Sequence, residues 1–234
     1  MVTRVVSAFE SYSASDAAKV AAHGGIVVYP TETAYAIGCS AIVESAAKKV
    51  FELKRRDLRK PLPVIVASKA MAGKFVRIDP KAELLIDAFM PGPLTLVAAK
   101  KGEKVYAGDR STLAFRISSS VFCREFSALL GAPIVSTSAN ISSEETVYSI
   151  DKALEIYEGK VDLIVSAGDL TVTPTSTIVD VTGTPKIVRK GLISMIQIEN
   201  ALKGRKGSKV HDAKKAKRAG KGKTASRKPR RASK

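Results

Sequence analysis

Residues Leu94–Ser136 read LTLVAAKKGEKVYAGDRSTLAFRISSSVFCREFSALLGAPIVS. Leu94–Ala99 is an apolar run of strand length. Leu113–Ile117 is a second strand, in which Leu113, Phe115 and Ile117 alternate with Ala114 and Arg116, so that Arg116 faces away from the core side. These two strands are joined without a helix between them. Val121–Leu130 then reads as a helix stopped by Gly131, and Pro133–Ser136 as another strand. Strands linked both directly and through helices predict an α/β fold, a mixed sheet covered by helices.

The same alternation extends outward. Upstream, Ser15–His23 is predicted helical, with Ser13 or Ser15 as N-cap and Gly24-Gly25 as the stop. His23 at its end suits the helix dipole. Ile26–Tyr29 is a short β-branched strand closed by Pro30, and Ser45–Arg55 places Ala46, Val50 and Leu53 on one helical face. Leu62–Ala67 reads as a buried strand and Pro80–Phe89 as a helix with Pro at its start. Downstream come a helix at Ile150–Glu158 and strands at Asp162–Val165, Thr177–Val181 and Lys186–Arg189. A last helix spans Ser194–Leu202. No internal repeat at a fixed period occurs.

Of the 234 residues, 45% are hydrophobic and 6% aromatic, enough apolar material for a packed core. No apolar stretch approaches the ~18 residues of a membrane span, and the first ten residues lack the apolar block of a signal peptide. Cys39 and Cys123 have no metal-ligand spacing and form no disulfide framework, which predicts a cytoplasmic protein. The net charge of +17 is unevenly placed: Lys203–Lys234 holds 15 of the 39 Lys and Arg and one of the 22 acids, a net of +14. The remaining 202 residues carry only +3. The chain therefore reads as a nearly neutral globular domain over residues 1–202, followed by a Lys/Arg-rich tail at 203–234. That tail is predicted disordered, because it has almost no large apolar residue to bury.

The common nucleotide signatures are absent. There is no G-x-G-x-x-G, and Gly222-Lys223-Thr224 lacks the upstream glycine of a P-loop. No G-x-S-x-G elbow occurs, and His23 and His211 are poorly placed for a triad. Three polar clusters at strand ends remain. Pro30–Gly38 (PTETAYAIG) offers hydroxyls after a buried strand, at an edge where open α/β sheets place their ligands; from spacing alone an ordinary capping loop is the favoured reading. Lys54–Leu62 (KRRDLRKPL) sets five cations at a helix end, fitting either the helix dipole or phosphate oxygens. Ser136–Asn140 (STSAN) is either a turn with an N-cap or a polyphosphate or ribose contact.

Taken in order, PTETAYAIG, KRRDLRKPL, PGPLTLV, AFRIS, STSANIS, STIVD and IVRKG resemble the YrdC-like family of L-threonylcarbamoyladenylate synthases over roughly Ala14–Ile193. Lys54 and Arg56 match the family's Lys-x-Arg, and Ser138 and Asn140 its Ser-x-Asn. The resemblance implies an open, twisted mixed α/β sheet with helices around a concave basic cavity, in a single catalytic domain. It also implies a nucleotidyltransferase that joins L-threonine, bicarbonate and ATP into threonylcarbamoyl-AMP and pyrophosphate. That product is the donor a downstream tRNA threonylcarbamoyl transferase uses to make t6A37. Ala36 stands where the family has Gly, Asp57 where Pro is common, Ile65 where some relatives carry a threonine-contacting His, and Ser143 where a Gly ends the serine-rich run.

By the same resemblance, Thr33, Arg116, Ser136 and Ser176 bind L-threonine, with Arg116 pairing the carboxylate through its planar fork. Arg56, Lys60, Thr112, Ser138, Thr146 and Arg189 bind ATP. Lys54, Arg56, Ser138 and Asn140 form the catalytic set. Mg2+ accompanies ATP, and no protein metal site is implied. The basic tail is expected to contact tRNA or double-stranded RNA without being needed for synthesis. The alternative is a double-stranded RNA- or tRNA-binding module without catalysis, its phosphate binding carried largely by that tail; the hydroxyl and Asn set distinguishes the two. A carbamoyltransferase-type maturation domain is a third reading, and the lack of zinc-finger cysteines speaks against it. No membrane partner is expected.

Overall fold

The computed structural model describes residues 2–102, 104–108 and 111–204. The tail expected over Lys203–Lys234 lies outside these residues from position 205 onward. The first half of the chain runs β1 (Arg4–Ser7), α1 (Ser13–Ala22), β2 (Val27–Pro30), β3 (Tyr35–Gly38), α2 (Glu44–Leu53), β4 (Val64–Ile65), α3 (Lys69–Phe75), α4 (Pro80–Phe89) and β5 (Leu94–Ala99). The second half runs β6 (Thr112–Arg116), α5 (Val121–Leu130), β7 (Ile134–Val135), β8 (Thr137–Ser138), α6 (Ile150–Tyr157), β9 (Leu163–Ser166), β10 (Thr177–Asp180), β11 (Lys186–Arg189) and α7 (Met195–Leu202).

The expected mixed α/β arrangement is present, distributed over two mixed sheets. Five strands lie in the order β1-β9-β2-β3-β8 and six in the order β11-β10-β5-β6-β4-β7. β5 and β6 pair antiparallel, with Leu96 opposite Phe115, while β10 lies parallel to β5 on its other side. The stretch expected as one strand at Pro133–Ser136 divides. Val135 pairs with Val64 in the six-stranded sheet, and Thr137 pairs with Ile37 in the five-stranded one. Ser136 sits at the crossing, its N–H donating to the Pro63 carbonyl at 2.9 Å.

Other differences have local causes. Pro30–Gly38 is half a hairpin rather than a loop: β3 pairs antiparallel with β2, and every residue of β3 is buried. Ala36 takes an ordinary strand position opposite Tyr29, where Gly has no conformational advantage. α1 begins at Ser13 with Tyr12 before it, and neither predicted serine caps it. The strand read at Leu62–Ala67 contracts to Val64–Ile65. β1 and α3 carried no sequence signal strong enough to mark them. β1 has two valines and gains its order by pairing parallel with β9; α3 is only seven residues long and is capped by the Ser68 hydroxyl on the Met71 N–H at 3.1 Å.

The larger core packs the sheets against α2, α4 and α6, with Val50, Phe51, Leu96, Phe115, Ile164 and Val179 among its members. A second cluster lies under α1 and α5. There Ala17 and Ala21 let the helices approach closely, and Phe126 meets the Tyr29 ring edge-on at 5.6 Å. Gly38 has no alternative at its position: a Cβ there would lie 1.7 Å from the Val135 carbonyl oxygen.

Candidate active site

Alternation along the strands builds the cavity wall. On β6, Leu113 and Phe115 enter the core, so Thr112, Ala114 and Arg116 line the opposite face. On β5, Thr95 and Val97 do the same. The other wall comes from the β2–β3 turn, β3 and the Ser136–Ser138 crossing, so the cavity lies between the two sheets. Its volume is about 330 Å³.

Nine of the twelve predicted site residues line this one cavity: Thr33, Arg56, Thr112, Arg116, Ser136, Ser138, Thr146, Ser176 and Arg189. They come from positions as far apart as 33 and 189, and only the packing of the two sheets brings them together. Lys54, Lys60 and Asn140 do not line it.

Lys54 is 2% exposed and lies behind the wall, donating to the Ser138 carbonyl and, at 2.6 Å, to the Asn140 carbonyl. Burial, assisted by the Arg56 charge, pulls its ammonium down to about 8. Asn140 acts within the same loop. Its Oδ1 accepts from the Ser138 hydroxyl, and its amide donates to the Ile141 and Glu144 carbonyls at 2.9 and 2.8 Å. Lys60 is exposed and takes part through its main chain: Arg56 Nε donates to the Lys60 carbonyl at 2.9 Å and Nη2 to that of Pro61 at 3.0 Å. The Lys54–Leu62 cluster is thus folded around Arg56, the one cation it turns into the cavity.

Arg189 is exposed along its length, yet its guanidinium turns inward. Nη2 donates to the Ser176 carbonyl at 2.8 Å and to the Ser176 hydroxyl at 3.0 Å. That hydroxyl lies 2.9 Å from Thr95 Oγ1. Desolvation lowers the pKa of both Arg56 and Arg189, and for Arg189 the charges of Arg116 and then Arg56 add to the effect. The guanidiniums remain ionised, so the crowding expresses a cavity with surplus positive charge and a demand for anions. Ser136 is 6% exposed and lines the cavity; its hydroxyl is buried near that of Tyr29 and has no hydrogen-bond partner of good geometry among the described residues.

Three contributors were missed in the sequence. Glu32 pairs with Arg116, Ser118 donates to Glu32, and Thr95 holds Ser176. All three lie inside the quoted motifs, but a turn carboxylate, a strand threonine and a serine just after a strand carry no spacing signal of their own. Elsewhere, Cys39 and Cys123 are both buried and free; burial pushes their thiols up to about 12 and about 11. No helix among the described residues is long and apolar enough to cross a membrane.

The family described as Telomere recombination (Sua5_yciO_yrdC) matches residues 19–191. The chain is 32% identical over 206 residues to the threonylcarbamoyl-AMP synthase of Pyrococcus abyssi (strain GE5 / Orsay), covering 86% of this chain and 61% of that relative. It therefore spans about three-fifths of that protein's length. A Methanocaldococcus jannaschii relative is 33% identical over 172 residues, 73% of this chain and 82% of its own. Among solved structures, P. abyssi Sua5 complexed with L-threonine superposes with a TM-score of 0.79 at 31% identity, over 86% of this chain and 60% of that one. Because the family match runs from within α1 to just past β11 and encloses every strand that walls the cavity, the chain belongs to the Sua5/YciO/YrdC family.

Proposed function

We propose that the protein is an L-threonylcarbamoyladenylate synthase, joining L-threonine, bicarbonate and ATP into threonylcarbamoyl-AMP and pyrophosphate. The carrying observation is the cavity between the sheets, where three guanidiniums, from Arg56, Arg116 and Arg189, converge with the hydroxyl residues Thr33, Thr112, Ser138, Thr146 and Ser176. The names of the P. abyssi relative and of its L-threonine complex support the same reading.

In this reading the cavity has two ends. Thr33, Arg116, Ser136 and Ser176 receive L-threonine, whose carboxylate takes the Arg116 fork. Arg56, Thr112, Ser138, Thr146 and Arg189 receive ATP. Lys54 and Asn140 act as positioning residues, holding the Ser138 loop from behind, and Lys60 acts through the carbonyl that orients Arg56.

The threonine amine adds to bicarbonate with loss of water, giving a carbamate. A carbamate oxygen attacks the α-phosphorus, and the bond from that phosphorus to the bridging oxygen of the β-phosphate breaks, releasing pyrophosphate. Attack of one anion on another calls for neutralised charge and in-line placement more than for a general base. Guanidiniums and hydroxyls supply both.

The donor set does not suit a protein-held divalent ion: the lining is cationic and hydroxylic, and the described residues contain no group of three His, Cys, Asp or Glu that would hold a metal. Mg2+ in this proposal arrives on the ATP phosphates with its own waters.

The test is incubation of the protein with Mg-ATP, L-threonine and bicarbonate. Pyrophosphate and threonylcarbamoyl-AMP are expected only when both co-substrates are present. Pyrophosphate release indifferent to threonine would refute the reading.

A further inference from the structure

Glu32 lies in the turn between β2 and β3. Thr31 and Thr33 on either side of it line the cavity, and Glu32 itself does not. Its Oε1 accepts from Arg116 Nη1 at 2.6 Å, and its Oε2 accepts from the Ser118 hydroxyl. Ser118 is fully buried and also accepts from the Ser120 N–H at 3.1 Å, which ties the group to the start of α5. The ion-paired side chains are 9% exposed at Arg116 and 15% at Glu32.

The pair has a mechanical consequence. Arg116 is gripped through one nitrogen from outside the cavity, and its Nε and Nη2 have no hydrogen-bond partner among the described residues. Two adjacent donors of a planar fork are thus left free by a pairing that restrains the guanidinium.

It also has an electrostatic consequence. Arg56 and Arg189 donate to neutral carbonyls and a hydroxyl, whereas Arg116 is matched by a carboxylate. Little water screens that pair, so among the described residues Arg116 is the one cavity guanidinium whose charge is offset by a carboxylate, while Arg56 and Arg189 at the other end have no acid beside them.

We infer that Glu32 is a positioning and selectivity residue: it sets the Arg116 fork for the carboxylate of a zwitterionic amino acid and cancels the surplus charge that would seat a phosphate there. The inference rests on the proposed function for the identity of the two ligands. It deepens that function by explaining how a cavity with three arginines keeps ATP and its fragments out of the amino-acid end.

The experiment compares the full chain with Glu32→Gln and Ser118→Ala, in steady-state pyrophosphate release and in calorimetric titration with L-threonine and with inorganic phosphate. Glu32→Gln is expected to raise the threonine KM about tenfold while the ATP KM stays within about twofold, since the lost interaction is one charge-assisted contact at one end. Inorganic phosphate should become a competitive inhibitor against threonine in Glu32→Gln and not in the parent. Ser118→Ala should shift both quantities in the same direction and by less. An unchanged threonine KM, a parallel rise for both substrates, or equal phosphate inhibition in parent and variant would overturn the inference. Should Glu32→Gln melt early, Ser118→Ala decides alone. A parent that makes no threonylcarbamoyl-AMP refutes the functional reading instead, and the inference is then judged by whether Glu32→Gln binds phosphate more tightly than the parent.

Discussion

Lys54 Nζ donates to the main-chain carbonyl of Asn140 at 2.6 Å from a position 2% exposed, so a buried ammonium supports the loop that carries Ser138 into the cavity. The two residues are 86 positions apart. The ammonium donates to the carbonyls of Ser138 and Asn140, and it carries a desolvation cost in doing so.

That cost makes stability depend on pH. Lys54 titrates near 8 in the folded protein and near 10.5 when unfolded. The unfolded chain therefore binds more protons between these values, and the contribution of Lys54 to stability rises with pH through this window and is lost as pH falls through 8. The parent should gain about 1 kcal/mol from this group between about pH 7.5 and about pH 9, and Lys54→Met should lose that gain. The raised thiol pKa values of Cys39 and Cys123 act in the opposite sense above pH 9, where folding holds protons the unfolded chain releases, but they are common to both proteins. Urea unfolding at the two pH values checks the difference; equal gains in parent and variant would contradict it.

Arg56→Ala and Arg116→Ala should separate the two ends of the cavity. A hydrogen bond to a charged group contributes ~1.5–3 kcal/mol, so Arg56→Ala should raise the ATP KM by about ten- to a hundredfold and leave the threonine KM nearly unchanged. Arg116→Ala should do the reverse. Both variants losing affinity for the same substrate would show that the ends are assigned wrongly.

Ser143 holds φ at +76° on an exposed loop, at the position where the family pattern has Gly. A side chain in left-handed backbone is strained, and Gly removes the strain at some cost in unfolded-state entropy. Ser143→Gly is therefore expected to stabilise by about 0.5–1 kcal/mol, read as a higher melting temperature with unchanged substrate KM values.

Gly38→Ala should prevent stable folding. The new Cβ would fall 1.7 Å from the Val135 carbonyl oxygen and 3.2 Å from the Tyr29 hydroxyl, so β3 must leave its place beside β7. A loss of ~3 kcal/mol or more is expected, with the cooperative melt lost or shifted far down. Ala36, two residues earlier on the same strand, should tolerate Gly with a loss of only about 1 kcal/mol.

A chain ended after Leu202 should synthesise threonylcarbamoyl-AMP as well as the full chain does. It should bind tRNA more weakly at ~50 mM salt, with the difference fading by ~200 mM as counterion release loses its driving force. Equal tRNA binding at low salt would remove the RNA role proposed for the +14 segment.

Where a residue's neighbours in the chain settle its state, the sequence alone was sufficient. Pro80–Phe89 and Val121–Leu130 were legible to the residue, because Pro at the first helical position and Gly131 as a stop are local devices. The same holds for β5, and for Arg116 facing away from the core, where period-two alternation suffices. Motif order along the chain was enough to indicate the family.

The tertiary structure decided the rest. Pro133–Ser136 contains no signal that the chain crosses from one sheet to the other at Ser136, because that depends on Pro63 and Ile37 waiting as partners. Lys54 reads in the sequence as one of five cations that fit either the helix dipole or phosphate oxygens. Only packing turns its four-carbon stem inward to meet the Asn140 carbonyl, while Arg56, two residues on, faces the cavity. Glu32 gains its role from Arg116, 84 positions away. Charge and spacing in a sequence are one-dimensional, whereas burial, which sets the strength and sign of each of these interactions, exists only once the two sheets have closed on each other.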